Sequence, residues 1–388
     1  LKGCHYKGGF DTVSIYLQNN PDSHFFASKG LILGGSHSPS PLNRNAHCGD
    51  LSAVLLQNLN PLVNLIRVPD KKIILMDEWE SKIKAIVEST WKTDVNSLSG
   101  VPSWMLVLIK AVLQKTGSEY LTDVWPNMEV FFHGGISFEP YRDQYKALIP
   151  SDRMHYMETY NASEGFFGLQ DNPEEHSLLL MIDYSVFYEF IPINEVGEEH
   201  PTVLPLEAVE VGKNYAMVIT TSGGLWRYQI GDTVRFTSLY PHKFVISGRT
   251  KNFINAFGEE LMVDNADKAI SRVCRQTGAK VKEYTAAPLF MLDKAKGRHQ
   301  WMIEFEKMPP SLDDFASLLD KTLQQLNSDY EAKRYKEISL QPLEIRVARE
   351  GTFYEWLRRK GKLGGQHKIP RLSNDRTFIE ELGKICDL

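Results

Sequence analysis

Three side chains with different chemistry lie close together near the middle of the sequence. Tyr160, Ser163 and Glu164 place an aromatic ring, a hydroxyl and a carboxylate within five positions. These groups can stack a base, contact a phosphate and hold a magnesium ion. Taken alone, the same residues could form a strand end that is capped by a serine. They predict a nucleotide site only if other parts of the chain supply further ligand groups.

Two charged residues further along the chain could supply such groups. Asp232 follows Gly231, and a carboxylate after a glycine turn can hold a ribose diol through two hydrogen bonds. Arg249 follows a Ser-Gly pair and could join Asp232 at the ribose or contact a phosphate. The plain alternatives are an aspartate in a β-turn and a surface arginine. The order of both groups after Tyr160 favours the nucleotide site.

Two glycines and one lysine complete the candidate set. An apolar run that reads as a buried strand ends at Gly134 and Gly135, and ligands collect at such strand ends in open α/β sheets. Lys368 lies in a tail rich in glycine and lysine, residues 360–370, whose flexibility would allow the lysine to travel. Otherwise, a lysine in such a tail is only a solvated charge.

Several common catalytic signatures are absent from the sequence. It contains no Walker-type phosphate loop, no Rossmann glycine fingerprint and no His-Glu-x-x-His motif. Residues 161–165 half resemble the nucleophile elbow of serine hydrolases, but Asn161 stands where the sharp turn needs a glycine. Serine hydrolase chemistry is therefore a weak alternative.

Composition and charge describe a globular protein without a nucleic-acid partner. The 388 residues exceed one typical core, so we expect two domains or one large domain with a smaller partner. The net charge is −5, and lysines and arginines are scattered, which argues against nucleic acid. The four cysteines are far apart, so we expect free thiols and a cytoplasmic location. Polar residues interrupt the apolar runs, so we expect no membrane span; no pattern indicates an oligomeric state.

The candidate groups must be positioned by helices and strands, and the hydrophobic patterns of the sequence predict an α/β protein with two parts. Residues 1–249 read as a large N-terminal domain whose part at about 178–249 is antiparallel and barrel-like, and residues 250–388 read as a small α+β domain. In the large domain the patterns predict a strand at 30–34, a helix at 51–66, a helix with Ser103 as N-cap, a buried strand at 130–135 and a strand at 156–160. In the small domain they predict helices at 263–275 and 312–326 and strands at 281–290, 300–306 and 338–346.

The ordered set of motifs resembles the acyl-adenylate-forming superfamily, which includes acyl-CoA synthetases and firefly luciferase. Within this superfamily, YEFIP at 188–192, GGLWRY at 223–228 and QHKIPR at 366–371 are similar to the auxin-responsive Gretchen Hagen family of acyl-acid amido synthetases, including its bacterial members. The resemblance covers essentially the whole chain. It implies an adenylating N-terminal domain and a mobile C-terminal lid, with the hinge near residues 249–252.

The resemblance also implies a role for each candidate residue. In the nucleotide site, the implied roles are adenine stacking by Tyr160, adenine contact by the backbone of Gly134 and Gly135, α-phosphate binding by Ser163, magnesium binding by Glu164, ribose binding by Asp232 and Arg249, and contact with the bridging and carboxylate oxygens by Lys368. The acyl pocket would be lined from Val101, Trp104 and Met105, although Trp104 and Met105 could equally be core residues.

The implied reaction uses ATP and Mg²⁺ in two steps. A small carboxylic acid attacks the α-phosphate to give an acyl-adenylate and pyrophosphate, and an amine, an amino acid in this family, then attacks the acyl carbon. The alternatives are a nucleotide-binding protein without turnover and an acyl-CoA ligase that uses coenzyme A as acceptor. Family members begin with a Ser/Thr/Gly-rich loop that cradles the β- and γ-phosphates, and this sequence contains none. We therefore expect either that the chain is the remainder of a longer protein whose first part is missing, or that the loop has been lost.

Overall fold

The computed structural model of the chain describes residues 2–35, 37–39, 47–135, 138–139, 141–250, 253–257, 259, 261–290, 297–334, 340–361 and 369–387. Within these ranges the α-helices are α1 (Lys2–Asn19), α2 (Leu51–Gln57), α3 (Lys71–Ile74), α4 (Trp79–Thr90), α5 (Pro102–Thr116), α6 (Leu121–Val124), α7 (Arg142–Leu148), α8 (Val263–Thr277), α9 (Leu312–Leu326), α10 (Ser328–Arg334), α11 (Thr352–Arg359) and α12 (Thr377–Cys386). Short 3-10 helices cover Pro61–Leu65, Ile193–Glu195 and Leu206–Ala208.

The strands of the same ranges are β1 (Lys29–Ile32), β2 (His37–Pro39), β3 (His47–Gly49), β4 (Arg67–Val68), β5 (Val95–Gly100), β6 (Val130–Gly134), β7 (His155–Ala162), β8 (Gly165–Leu169), β9 (Leu178–Leu180), β10 (Val186–Pro192), β11 (Leu204–Pro205), β12 (Asn214–Thr221), β13 (Tyr228–Leu239), β14 (His242–Arg249), β15 (Phe253–Ile254), β16 (Leu261–Met262), β17 (Lys280–Phe290), β18 (Gly297–Lys307) and β19 (Glu344–Ala348).

Twelve of these strands form one large sheet in the order β11-β10-β12-β13-β14-β9-β8-β7-β6-β5-β1-β4. In the half of the sheet with the order β7-β6-β5-β1-β4, neighbouring strands are parallel. In the other half, with the order β11-β10-β12-β13-β14-β9-β8-β7, neighbouring strands are antiparallel. The mixed α/β class predicted from the sequence is confirmed.

The parallel half consists of apolar strands covered by helices. Val130 and Phe131 of β6 are fully buried, as expected for a strand between two parallel neighbours. α5 begins with Pro102 after the N-cap residue Val101, so the predicted N-cap at Ser103 is wrong. The fixed φ of proline suits the first helical position, which explains the earlier start.

The antiparallel half surrounds a hydrophobic core of its own. This core is contributed by β7 to β10 and β12 to β14 and includes Tyr160, Phe167, Tyr188, Phe190, Tyr215, Phe236 and Phe244. The predicted antiparallel arrangement is present at these positions. Its strands continue the large sheet.

β13 differs from the prediction at the position where Asp232 lies. The sequence predicts a turn at Gly231, but β13 runs without a break through Gly231 and Asp232. Gly231 has a φ of 81°, and the pairing of β13 with β12 changes register at this point. A glycine in this conformation forms a bulge inside a continuous strand. Asp232 is therefore held by strand pairing.

The small C-terminal unit follows the predicted order of helices and strands. β17, β18 and β19 form a three-stranded sheet, and α8 and α9 pack in one core with Tyr284 and Trp301 of this sheet. A second core joins Trp356 of α11 and Ile379 of α12 to the same unit. The boundary between residues 249 and 250 stays a prediction, and residues 251 and 252 of the predicted hinge lie outside the described residues.

One predicted helix is shorter than expected. α2 ends at Gln57, and a 3-10 helix follows at Pro61–Leu65, because a proline lacks the N–H that would continue the α-helix to residue 66. Cys4, Cys274 and Cys386 are free thiols. Of the helices in the described ranges, none has both the length and the hydrophobicity needed to cross a bilayer.

Candidate active site

A cleft of about 1010 Å³ lies between the large sheet and the C-terminal unit. One side is lined by the first half of α5, the segment after β6, the end of β7, and β13 and β14. The other side is lined by α8, β17, β18, α11 and residues 369–371. The carboxyl ends of the parallel strands therefore face the cleft, which is where open α/β sheets bind ligands.

Asp232 is held in the cleft by two side chains that the sequence analysis also selected. The Tyr160 hydroxyl donates a hydrogen bond to Asp232 Oδ2 at 2.7 Å, and Arg249 Nε lies 3.0 Å from Asp232 Oδ1. Asp232 and Arg249 are paired residues of β13 and β14, whereas Tyr160 comes from β7. Both carboxylate oxygens are thus oriented, although the Asp232 side chain is 19% exposed to the cleft.

The Tyr160 side chain is almost completely buried. Its ring packs against Phe167 and Phe244, and only 5% of the residue is exposed. Burial, followed by the nearby Asp232 carboxylate, raises the pKa of the Tyr160 hydroxyl well above its ordinary value, so the hydroxyl remains a donor at neutral pH. Adenine stacking by Tyr160 stays a prediction. The hydrogen bond to Asp232 is a role that the sequence analysis missed.

Ser163 and Glu164 form the two-residue turn between β7 and β8 and line the cleft. Every residue of β8 is buried, so the strand that follows the turn fixes the position of the turn. Ser163 is exposed and Glu164 is partly exposed. Neither side chain has a hydrogen-bonding or ionic partner in the part of the chain that the structure describes. Both groups are available to a ligand in the cleft.

The Glu164 carboxylate fits the magnesium ion that the sequence prediction assigned to it. Mg²⁺ is usually bound through one or two carboxylates together with substrate phosphates, and it needs no cage made only of protein groups. In the described ranges, no group of three or more His, Cys, Asp or Glu residues could form such a cage. An accessible carboxylate without a protein partner is the kind of ligand that such a shared site requires.

Gly134 and Gly135 allow the backbone to approach the cleft closely. A Cβ atom at Gly134 would lie 2.3 Å from the carbonyl oxygen of Thr159 on the neighbouring β7, so a larger residue does not fit. Gly135 has a φ of 84°, in the region that favours glycine, and it lines the cleft. Contact of this backbone with adenine stays a prediction.

The three residues predicted for the acyl pocket have different positions. Val101 and Trp104 line the cleft, and the Trp104 ring packs edge-on against Trp79 with 4.6 Å between centroids. Met105, by contrast, is fully buried in the core beneath α5 and is not part of the cleft lining. Its assignment to the acyl pocket is corrected to a core position, because the side chain faces the sheet.

Lys368 lies outside the described residues, but Ile369, Pro370 and Arg371, which follow it, line the cleft. Arg371 Nη2 donates to the Tyr141 hydroxyl at 2.8 Å, and Arg371 Nη1 lies 2.8 Å from Glu283 Oε2. This contact joins the C-terminal unit to the segment before α7, and the sequence analysis missed it. Burial raises the pKa of the Glu283 carboxyl, whereas Arg371 acts in the opposite direction.

The sequence analysis also missed Glu158, two residues before Tyr160 on β7. Glu158 lines the cleft, and within the described residues its carboxylate has no hydrogen-bonding or ionic partner. Burial raises the pKa of the Glu158 carboxyl to about 7; Arg142 opposes this rise, and Asp264 adds to it. A single glutamate inside a strand has no sequence signature that would reveal this environment.

Comparison with known proteins assigns the chain to a family. The GH3 family N-terminal domain matches residues 4–154, the central domain matches residues 179–249 and the C-terminal domain matches residues 264–377. The chain belongs to the GH3 family. This is the auxin-responsive family that the motifs resemble.

Two relatives from Arabidopsis thaliana show the extent of the similarity. The indole-3-acetic acid-amido synthetase GH3.4 is 30% identical over 318 residues, which are 74% of this chain and 51% of the relative. The 4-substituted benzoates-glutamate ligase GH3.12 is 27% identical over 347 residues, which are 80% of this chain and 59% of the relative. The chain therefore spans about half the length of the GH3 relatives it matches.

Solved structures share the fold of this GH3 chain. The GH3.15 acyl acid amido synthetase has a TM-score of 0.76 at 18% sequence identity and covers 100% of this chain and 79% of its own. A 2-hydroxyisobutyryl-CoA ligase, solved with an acyl-AMP, has a TM-score of 0.57 at 13% identity and covers 94% of this chain and 69% of its own. This chain therefore shares its fold with both of these proteins.

Proposed function

We propose that this GH3 protein is an acyl-acid amido synthetase. It adenylates a small carboxylic acid with ATP and then transfers the acyl group to an amine, an amino acid in the proposed reaction. The observation that carries this proposal is the meeting of separate motifs in one cleft. Tyr160, Asp232 and Arg249 are joined there by hydrogen bonds and an ion pair, and the Ser163 and Glu164 turn lines the same space.

The residues of the cleft have distinct tasks in the first step. Asp232, oriented by Tyr160 and Arg249, accepts hydrogen bonds from the ribose hydroxyls. The Ser163 hydroxyl donates to the α-phosphate, and the backbone at Gly134 and Gly135 lies against the adenine. These contacts hold the α-phosphate where a carboxylate can attack it, so positioning supplies much of the rate.

Charge neutralisation supplies the second contribution to the rate. Glu164 would hold Mg²⁺, which offsets negative charge on the phosphates when it is bound. Lys368 donates hydrogen bonds to the bridging and carboxylate oxygens, where charge develops during adenylation. The proposed acid lies along α5, next to Val101 and Trp104, where the cleft lining is apolar.

Exchange of pyrophosphate into ATP tests this proposal in the complete gene product. We expect exchange that depends on Mg²⁺ and on an added acid from a panel of aromatic and aliphatic carboxylates, and an amide when an amino acid is added. Coenzyme A supplied in parallel measures the competing thioester reaction. The variant Lys368→Ala should lose exchange while it retains AMP binding in calorimetry. Nucleotide binding without exchange for any acid would refute the enzyme assignment.

A further inference from the structure

The carboxylates of the cleft fall into two groups. Among the described residues, nine carboxylate side chains line the cleft, and seven have a hydrogen-bonding or ionic partner. The paired ones are Glu139, Asp232, Asp264, Asp267, Glu283, Glu304 and Glu306. The two without such a partner in the described ranges are Glu158 and Glu164. Glu164 has the magnesium role in the proposed function, whereas Glu158 has no role in it.

The backbone of Glu158 is fixed on both sides. Its N–H donates to the Gln170 side chain at 3.0 Å, and the residue pairs with His133 of β6 in the parallel ladder. Side chains two residues apart on a strand share a face, so Glu158 and Tyr160 lie on the same face of β7. Glu158 is therefore a carboxylate in a defined position beside the proposed nucleotide site.

The charged and titratable groups around Glu158 come from three elements. Arg142 of α7 and Asp264 of α8 act on it electrostatically in opposite directions. His133 of β6 is neutral at physiological pH, because burial and, to a smaller extent, the nearby Arg142 lower its pKa to about 3. Arg142 itself is held by Glu139, with 3.1 Å between Arg142 Nε and Glu139 Oε2. Within the described residues none of these groups forms an ion pair with Glu158, so its carboxylate remains accessible to a cation that enters the cleft.

We propose that Glu158 accepts the proton that the acceptor amine must lose before it attacks the acyl-adenylate. This inference rests on the proposed function and adds a group for its second step. The amine enters as an ammonium ion, and its first proton passes to a carboxylate oxygen of Glu158. The nitrogen then bonds to the acyl carbon, and the bond from that carbon to the bridging oxygen breaks. AMP leaves with the electron pair, and the second proton leaves the nitrogen for solvent.

The environment of Glu158 suits this task better than that of its neighbours in the cleft. A general base is most effective when its pKa lies close to the working pH, and burial brings the Glu158 pKa to about 7. A carboxylate that is already bound to an arginine or lysine, as Glu306 is to Lys110 at 2.7 Å, is a weaker base and is less accessible.

The test compares the reaction rates of two kinds of acceptor in the complete wild-type protein and in its Glu158→Gln variant. The acids are benzoate, phenylacetate and hexanoate, and the acceptors are the common L-amino acids and hydroxylamine. Hydroxylamine is largely unprotonated at neutral pH, so it needs no base to become a nucleophile. We expect pyrophosphate exchange and hydroxamate formation to be retained in Glu158→Gln. Amide formation at neutral pH should fall about a hundredfold, and the deficit should shrink as the pH rises.

Two further variants separate a proton acceptor from a structural residue. Glu158→Asp keeps a carboxylate and should recover part of the amide formation, whereas Glu306→Gln removes a paired carboxylate of the same cleft and should change neither reaction. An equal loss with hydroxylamine and amino acids in Glu158→Gln would overturn the inference. An unchanged pH profile of amide formation would overturn it as well. A wild-type protein without exchange for any of these acids would refute the proposed function itself, together with this inference.

Discussion

The raised pKa of Glu158 predicts how the stability of the protein depends on pH. In Glu158→Gln the side chain keeps its shape and loses its ability to titrate. Below the ordinary pKa of 4.5, Glu158 is protonated in both the folded and the unfolded protein. As the pH rises, the Glu158 carboxyl ionises first in the unfolded chain, because its pKa is lower there. This ionisation stabilises the unfolded chain, so the free energy of unfolding of the wild type falls until the pH passes about 7.

The magnitude follows from the size of the rise. A change from 4.5 to about 7 corresponds to about 3 kcal/mol, because each pH unit is worth about 1.4 kcal/mol. The side chain retains some exposure to the cleft, so we expect about 2 to 3 kcal/mol. The free energy of unfolding of Glu158→Gln, minus that of the wild type, should therefore grow by this amount between about pH 5 and about pH 8.

Urea unfolding at several pH values, followed by tryptophan fluorescence and circular dichroism, measures this difference. Glu306→Gln is the matched control, since Glu306 forms an ion pair with Lys110 at a partly exposed site. Its difference from the wild type should stay below about 1 kcal/mol over the same range. A difference for Glu158→Gln that does not change with pH would refute the argument that burial raises this pKa.

Three other substitutions test contacts around the cleft. Tyr160→Phe removes the hydrogen bond to Asp232 and should weaken AMP binding by about 1 to 2 kcal/mol in calorimetry; unchanged affinity would remove Asp232 from the ribose site. Arg371→Met removes the ionic partner of the partly buried Glu283, which keeps only the hydrogen bond from the Tyr141 hydroxyl at 3.4 Å, and should lower the free energy of unfolding by about 1 to 3 kcal/mol in urea titrations; an unchanged free energy would contradict the contact. Gly134→Ala forces a methyl group against the carbonyl oxygen of the next strand and should cost about 1 to 3 kcal/mol in thermal unfolding; an unchanged midpoint would refute the close approach.

The sequence was most informative where chemistry or periodicity is local. The spacing of Tyr160, Ser163 and Glu164 predicted a group of ligands, and the structure places all three in the lining of one cleft. The helices and strands of the small unit follow from regular apolar periods, so α8 and α9 begin within one residue of their predicted starts. These signals need no information about the rest of the chain.

Tertiary environment decided the features that the sequence left open. Gly231 and Asp232 have turn-like composition, but pairing with two neighbouring strands keeps β13 continuous through a bulge. Tyr141 and Arg371 are 230 residues apart, and no local pattern connects them. Glu158 differs from any other glutamate only through its burial and its neighbours, which the fold determines. The sequence does not distinguish a methionine in a pocket from one in the core, and the fold buries Met105 in the core.

The hydrogen bond between Tyr160 and Asp232 has a consequence for the sheet as a whole. Four strand spacings separate β7 from β13 in the sheet order, which would be roughly 19 Å along a flat sheet, yet the two side chains meet at 2.7 Å. The sheet must bend back on itself between these strands. A nucleotide that engages Asp232 therefore favours the bent sheet, and ligand affinity and sheet curvature are thermodynamically linked. Bound AMP should slow amide hydrogen exchange in β8, β9 and β14, the three strands that lie between β7 and β13 in the sheet order.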